Sequence, residues 1–197
     1  MARTKSILLI GSPGTGKGTI GRILGHVPGF FHLACGEVFR ALDPRSDLGR
    51  EFIAHSSKGR LVPDDITIRL WQQHIRNLAI MGEFRPAEHL LVLDGIPRNV
   101  AQAKLMEPET DVLLVCHLDF ADRSKLAERI RRRSLRENRL DDIHDDIIER
   151  RFRVFDEETK PVLDHYRDRV VPIDASRQPF QVLRSILDCL ERVERGG

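Results

Sequence analysis

The sequence predicts an α/β fold, in which helices cover both faces of a parallel β-sheet. Three short apolar runs alternate with longer amphipathic segments. The apolar runs are Ser6 to Ile10, Leu90 to Leu93 and Val112 to Leu118. Short apolar runs of this kind are typical of strands that are buried on both faces of a sheet. Since ligands bind at the carboxyl ends of such strands, we expect a functional site where these runs end.

The remaining elements follow from the same patterns. Two more strands are expected at Phe30 to Ala34 and Val170 to Ile173. Pro161 is expected to kink or split a long helix, because proline has no backbone N–H to donate within it. Seven segments have the apolar period and the end signals of helices: Gly16 to Leu24, Gly36 to Ala41, Asp47 to Ser57, Pro63 to Ala79, Ser124 to Arg133, Ile143 to Tyr166 and Pro179 to Arg195.

Length and charge are those of a single domain with a local basic site. The 197 residues are 41% apolar, enough for one substantial core. The net charge is only +2, from 32 basic and 30 acidic residues. A globally cationic protein that binds nucleic acid or membranes is therefore not indicated, and any basic function must be local.

The cysteines and the amino-terminal segment favour a cytoplasmic protein. Cys35, Cys116 and Cys189 are widely spaced and form no CxxC pair, so neither a disulfide framework nor a zinc site is indicated. The apolar run after Arg3 and Lys5 has only four residues, which is too short for a signal peptide. No run approaches the ~20 apolar residues of a membrane span.

The run Gly11 to Thr19 directly follows the first predicted strand and has the spacing of a phosphate-binding loop. It reads Gly-Ser-Pro-Gly-Thr-Gly-Lys-Gly-Thr. Its glycines allow a nest of inward N–H groups, and Lys17 adds a positive charge at the start of a helix. The pattern GxxxxGK is complete, but Gly18 stands where the hydroxyl residue usually follows, so that Thr19 is displaced. A glycine-rich turn that binds nothing is the alternative.

Asp94 follows the predicted strand Leu90 to Leu93, and Arg98 comes four residues later. A carboxylate at this edge of the sheet could hold Mg²⁺ through water. On its own it could equally cap the next turn. The phosphate-binding loop favours the metal role.

A dense cluster of charges lies between residues 129 and 153. Its arginines are Arg129, Arg131, Arg132, Arg133, Arg136, Arg139, Arg150, Arg151 and Arg153, with Asp141, Asp142, Asp145 and Asp146 between them. Three interpretations are open: a solvated helix surface, an RNA-binding patch, or a flexible lid that closes over polyphosphate. The acids disfavour RNA, because they would repel a polyanion. Phosphoryl transfer, in contrast, needs several arginines around one point.

Five motifs occur together and in order: Gly11 to Thr19, His32 to Arg40, Gly59 to Pro63, Asp94 to Arg98 and Arg139 to Asp142. In this combination the chain resembles the adenylate kinase family of nucleoside monophosphate kinases, from Ser6 to about Leu190. The resemblance implies a three-layer α/β/α fold with a five-stranded parallel sheet. It also implies one domain over residues 1–197, with a helical monophosphate-binding segment near 34–63 and a short lid near 133–142.

The resemblance also implies a role for each motif residue. ATP would be bound by Gly14, Thr15, Gly16, Lys17, Gly18, Thr19, Arg129 and Arg133. AMP would be bound by Cys35, Arg40, Val62, Gly95, Arg98, Gln102, Arg139 and Arg151. The catalytic residues would be Lys17, Arg98, Arg133, Arg139 and Arg151. Asp94 would order the water shell of Mg²⁺, and Asp141 and Asp142 would help to fix the closed lid.

Two assignments stay open at this point. Arg150 rivals Arg151, because the stretch after Asp142 is one residue longer than is usual; counting back ten residues from Pro161 favours Arg151. Gln102 stands where adenylate kinases carry a glutamine that pairs with adenine, whereas UMP and CMP kinases tend to carry Asn-x-Asp-Asn after the arginine. Only the first of those positions is matched here, and this favours AMP.

The sequence therefore predicts reversible, Mg²⁺-dependent transfer of a phosphoryl group from ATP to AMP, giving two ADP without a covalent intermediate. The alternatives are a UMP or CMP kinase and a nucleotide-dependent module that binds RNA or protein. Structural zinc is not expected, because the lid is short and lacks thiols. A monomer is implied by the short-lid resemblance. Ala34 and Cys35 stand where a Ser/Thr-Thr pair is common, which removes a hydroxyl near the acceptor.

Overall fold

The computed structural model of the chain describes residues 3–137 and 144–195 and contains a five-stranded parallel sheet with helices on both faces. The strand order is β2-β3-β1-β4-β5, and every neighbouring pair is parallel. The strands are β1 Thr4–Ile10, β2 Phe30–Ala34, β3 Leu90–Asp94, β4 Thr110–Asp119 and β5 Val170–Asp174. The predicted fold class is confirmed.

The helices of the described residues lie close to the predicted segments, with one addition. They are α1 Lys17–Gly25, α2 Cys35–Arg40, α3 Asp47–Ser56, α4 Asp64–Ile80, α5 Val100–Met106, α6 Arg123–Glu137, α7 Asp145–Val154, α8 Pro161–His165 and α9 Pro179–Arg195. Helix α5 was not expected, because its seven residues are too few to show a helical period. Within the described ranges, none of these helices has both the length and the apolarity to cross a bilayer.

The long helix predicted around Pro161 is interrupted by one wider turn. Phe155–Thr159 forms a π-helical turn between α7 and α8, in which Lys160 N donates to Phe155 O at 2.8 Å. The backbone stays helical through Lys160, so α7, the π turn and α8 form one continuous rod. A π turn relieves the clash between a proline ring and the carbonyl four residues earlier, which explains why the rod is not broken.

Strand β1 lies at the centre of the sheet and contributes to both cores. Leu8 and Ile10 pack on one face, while Ile7 and Leu9 pack on the other, because side chains alternate along a strand. The first face is covered by buried residues of α4, α5 and α8, and the second by residues of α1 and α9: Trp71, Met106 and Val162, then Ile20, Leu24 and Ile186. Burial on both faces fixes the end of β1, from which the glycine-rich loop leaves.

A third, smaller core joins α6 to α7. Leu126 and Ile130 of α6 are buried against Ile148 and Phe152 of α7. This packing sets the direction in which the arginines of the two helices project. It brings the arginine-rich segment to the edge of the sheet where β1 and β3 end.

Candidate active site

The glycine-rich loop between β1 and α1 has a conformation that its glycines make possible. Gly14 and Gly16 have φ angles of 86° and 96°, and Gly16 caps the amino end of α1. A Cβ at Gly11 would lie 2.6 Å from the Leu118 carbonyl oxygen of the neighbouring strand. The Thr15 hydroxyl closes the turn by donating to Ser12 O at 2.9 Å. Glycine is therefore needed both for the left-handed backbone and for close approach.

Lys17 is a half-buried cation over this loop. Its Nζ donates to Gly11 O at 2.6 Å and to Ser12 O at 3.1 Å. The pKa of Lys17 is lowered to about 8, mainly by burial; Asp94 opposes the shift, and the nearby charges of Arg98, Arg133 and Arg151 add to it. An amine held among cations in this way is suited to binding an anion whose negative charge exceeds the positive charge of the neighbouring arginines.

Asp94 ends β3 beside the loop. The register pairs Leu9 with Asp94, and a Cβ at Gly18 would lie 3.4 Å from Asp94 Oδ2, so the carboxylate faces the start of α1. Its side chain is 13% exposed, and the His32 Nε2 atom lies 4.0 Å from the same oxygen. Burial lowers the pKa of His32. Over residues 3–137 and 144–195, no group of three or more His, Cys, Asp or Glu side chains could hold a metal ion.

Arg98 is fixed by three hydrogen bonds from two parts of the chain. Its backbone N–H donates to Gln102 Oε1 at 2.8 Å, and its backbone carbonyl accepts from the Thr159 hydroxyl at 2.7 Å. Its Nε donates to Gly95 O at 3.0 Å, and Gly95 has a φ of 78°. The direction of the guanidinium is thus set by the turn after β3 and by the π turn after α7.

Arg150 and Arg151 occupy different surroundings. Arg151 faces inward from α7 and lines the central cavity together with Arg133 of α6. Arg150 is exposed, and its Nη1 donates to Lys58 O at 3.3 Å. A Cβ at Gly59 would lie 3.1 Å from Ile147 O, so the turn at 58–59 rests on the backbone of α7. The geometry favours Arg151 as the arginine that reaches a ligand.

The end of the cavity formed by residues 34–62 is partly apolar. Cys35 is 4% exposed, and burial raises the pKa of its thiol to about 11, so it stays neutral. Phe39 and Phe52 stack with ring centroids 5.2 Å apart. Arg40 adds a cation at this end, and Val62 contributes a further apolar side chain. Arg60 also lines this end, and an apolar wall with two cations suits a nucleoside that carries a phosphate.

One cavity of about 580 Å³ brings the predicted residues together. It is lined by every predicted site residue that the structure describes: Gly14, Thr15, Gly16, Lys17, Gly18, Thr19, Cys35, Arg40, Val62, Asp94, Gly95, Arg98, Gln102, Arg129, Arg133 and Arg151. Arg139, Asp141 and Asp142 lie outside the described residues. In the described part of the chain, the cavity lining includes eleven cations but only two acids. The cations are Lys17 and ten arginines, and the acids are Glu37 and Asp94.

Comparison with known proteins decides the family. The adenylate kinase family model matches residues 9–171. The chain belongs to the adenylate kinase family. Its relatives include adenylate kinases from Kocuria rhizophila (34% identical over 94% of this chain and 98% of the relative) and Nocardia farcinica (34%, 94% and 99%). Adenylate kinase 1 from Schistosoma mansoni is 34% identical over 89% of this chain and 87% of its own.

The resemblance stated from the sequence is confirmed, and this adenylate kinase family member also has site residues that the motifs did not indicate. Thr159 holds Arg98, yet it stands in a π turn with no sequence signal of its own. Arg177, Gln178 and Pro179 also line the cavity. They follow β5, so the rule that ligands bind at strand ends could have found them.

Proposed function

We propose that this chain transfers the terminal phosphoryl group of ATP to AMP and, in the reverse direction, forms ATP and AMP from two ADP. One observation supports this proposal most strongly. A phosphate-binding loop, eleven cations and an apolar acceptor end line the same cavity in the described residues. The adenylate kinase relatives align with nearly all of this chain, which supports the same reaction.

The donor triphosphate would lie over residues 14–19, where the backbone N–H groups and the amino end of α1 face it. Lys17 would exchange the carbonyls of Gly11 and Ser12 for phosphate oxygens, which offer a full negative charge in place of a dipole. Arg129 would flank the donor base; its guanidinium carbon lies over the ring of Phe120, 4.5 Å from the centroid.

The acceptor phosphate would be held by Arg40 and Arg98 so that its oxygen attacks in line. Because Arg98 is fixed by Gln102, Gly95 and Thr159, it need not reorganise when the phosphate arrives. Arg133, Arg139 and Arg151 would surround the transferred group and stabilise its equatorial charge.

No protein nucleophile is required by this arrangement. The thiol nearest the acceptor end, that of Cys35, has a pKa raised to about 11 and is neutral near pH 7. A direct transfer between the two nucleotides is therefore favoured over a covalent enzyme intermediate.

Magnesium fits the donor set at the loop. Mg²⁺ prefers carboxylate and phosphate oxygens together with water, and Asp94 places one carboxylate beside the start of α1. Mg²⁺ bound with ATP would neutralise part of the triphosphate charge. Asp94 would accept hydrogen bonds from its water shell.

Two segments, 34–63 and 133–142, would close over the bound nucleotides and exclude water, which would otherwise accept the phosphoryl group. A cytoplasmic monomer is our proposal for the setting of the reaction. The three free cysteines support a reducing compartment, since Cys35 and Cys116 are buried as uncharged thiols.

A panel of nucleoside monophosphates tests the proposal, with ATP and Mg²⁺ held fixed and ADP formation followed in a coupled assay. We expect AMP to be the preferred acceptor. Lys17→Met should lower kcat at least ~100-fold, the scale of losing one transition-state contact. Lys104→Met, at an exposed lysine of α5, is the matched control. Unchanged turnover of Lys17→Met, or preference for UMP or CMP, would contradict the proposal.

A further inference from the structure

Gln102 is the residue that the family resemblance assigns to pairing with the acceptor adenine, and its amide is held at both ends. It is 1% exposed yet lines the cavity. Its Oε1 accepts from Arg98 N at 2.8 Å, and its Nε2 donates to Asp64 Oδ1 at 2.8 Å. An amide can make four hydrogen bonds, so one acceptor site and one N–H remain for a ligand.

The two partners determine which end of the amide is oxygen and which is nitrogen. The Arg98 backbone N–H can only donate, and the oxygens of the Asp64 carboxylate can only accept. Rotating the amide by half a turn would place its NH₂ against an N–H and its oxygen against a carboxylate. Both contacts would then be lost, and the second would become repulsive.

The Asp64 carboxylate is itself fixed by hydrogen bonds from Asn99. It is the first residue of α4 and is half-buried. Asn99 Nδ2 donates to its two carboxylate oxygens at 2.9 and 3.1 Å, while Asn99 Oδ1 accepts from Gln102 N at 2.8 Å. The carboxylate therefore belongs to a closed network that joins the start of α4 to the amino end of α5.

The orientation of the Gln102 amide matters because purine bases differ in the order of hydrogen-bond donor and acceptor along their edge. Adenine presents an amino donor beside a ring acceptor, whereas hypoxanthine and guanine present a carbonyl acceptor beside a ring N–H donor. A freely rotating glutamine can pair with either order. A glutamine whose amide cannot rotate pairs well with only one of them.

We propose that Asp64 is a specificity-determining residue of the acceptor site: by holding the amide of Gln102 in one direction, it makes the enzyme select the amino-purine AMP over the oxo-purine IMP. The inference rests on the proposed function. Asp64 acts through Gln102 as a positioning residue and does not contact the acceptor itself. IMP is the sharpest probe, because it has the size and shape of AMP and differs in the order of donor and acceptor.

The test compares kcat/KM for AMP and IMP in the wild type, Asp64→Asn and Asp65→Asn. An asparagine side chain at position 64 can accept or donate a hydrogen bond. Rotating the amide of Gln102 should therefore cost less free energy in this variant than in the wild type. We expect the AMP-to-IMP ratio of kcat/KM to fall about tenfold in Asp64→Asn, the scale of one hydrogen bond between charged and neutral groups. The ratio should fall mainly because kcat/KM for IMP rises.

The matched control separates this effect from loss of charge at the start of α4. Asp65 is exposed, lies in the same first turn and pairs with Arg69 at 3.0 Å, away from Gln102. Asp65→Asn should leave the ratio unchanged. If Asp64→Asn does not fold, Asp64→Ser, which keeps a neutral group that can accept or donate, is measured instead.

A double-variant cycle places the effect on Gln102. Gln102→Leu should also lower the ratio, and adding Asp64→Asn to it should lower the ratio no further. Equal losses for AMP and IMP in Asp64→Asn, or an unchanged ratio, would overturn the inference while the proposed function stands. A wild type that phosphorylates neither nucleotide, or prefers IMP, would overturn the proposed function and the inference with it.

Discussion

Lys17 shows how one residue can be prepared for a ligand by neighbours that disfavour its charge. Burial and three arginines lower its pKa to about 8, and only two carbonyls and Asp94 favour the ammonium. A triphosphate over the loop would add several negative charges next to Nζ. The pKa of Lys17 must therefore be higher in the complex than in the free protein.

Proton uptake on binding follows from this difference. At pH 8.5, above the lowered pKa of about 8, part of Lys17 is neutral in the free protein, whereas a bound triphosphate would hold it charged, so binding of ATP should take up a fraction of a proton. Titration calorimetry in buffers of different ionisation enthalpy should give different apparent binding enthalpies at pH 8.5, where the phosphates of ATP are fully ionised. The difference should vanish in Lys17→Met and persist in Lys104→Met. Identical enthalpies in all buffers at pH 8.5 would contradict the lowered pKa.

At this scale the sequence predicts residue types better than their partners. Lys17, Asp94 and Arg98 stand in motifs whose spacing indicates their surroundings. Gln102 is predicted to pair with adenine, but its motif does not indicate that Arg98 and Asp64 each occupy one hydrogen-bonding position of its amide. Asp64 and Thr159 lie 38 and 61 positions from the residues they hold, and nothing in a local pattern indicates such contacts.

Helix α1 packs unusually close to β2, and its glycines explain the distance. The ring of His32 lies against the backbone of Gly21, where a Cβ would be 2.2 Å from Nε2. A Cβ at Gly25 would be 2.8 Å from the Cβ of His32. The loop that begins α1 is thus held against the sheet edge that carries Asp94.

Gly21→Ala should destabilise the protein, opposite to the usual effect of this change within a helix. Alanine normally gains about 1 kcal/mol over glycine there. Here the new methyl group overlaps the His32 ring, and overpacking a core costs about 1–3 kcal/mol. Urea unfolding should show a net loss of up to about 2 kcal/mol.

The companion change is His32→Ala, which removes the ring. In that background Gly21→Ala should be neutral or stabilising, so the two effects should be strongly non-additive. Stabilisation by the same amount in both backgrounds would show that the close contact does not exist.

The elements that sequence patterns missed are short or highly charged. Helix α5 has fewer than two turns, and α6 runs four residues past the predicted end at Arg133. Residues 134–137 favour helix by propensity but have no apolar period, because the segment is nearly all polar. Patterns of burial predict a helix only where burial decides its position.

The whole molecule has almost no net charge, yet its cations are concentrated. The described residues around the central cavity include eleven cations and two acids, while the full chain carries only +2. Mutual repulsion within the cavity should lower the stability of the folded protein, and bound polyanions should relieve it.

Thermal melting should detect this relief. At one fixed ligand concentration, diadenosine pentaphosphate, which presents two nucleosides and five phosphates, should raise Tm more than ATP, and ATP more than AMP. At ~100 times Kd the ligand contributes about 2.7 kcal/mol, which corresponds to several degrees. Adenosine should have little effect, and added salt should reduce the gain from inorganic tripolyphosphate. Equal shifts for diadenosine pentaphosphate, ATP, AMP and adenosine would contradict a cavity built for two phosphate-linked nucleotides.

The π turn at Phe155–Thr159 sets the phase of the rod that carries Arg151. Eight residues of unbroken α-helix would leave Thr159 rotated about 80° from Arg151, since each residue turns the chain by about 100°. A π turn rotates the chain less per residue, so Arg151 and Thr159 both reach the cavity. One side chain of the rod therefore lines the cavity, while another donates a hydrogen bond to the backbone carbonyl of Arg98. A tilt of that rod would displace Arg151 and Arg98 together.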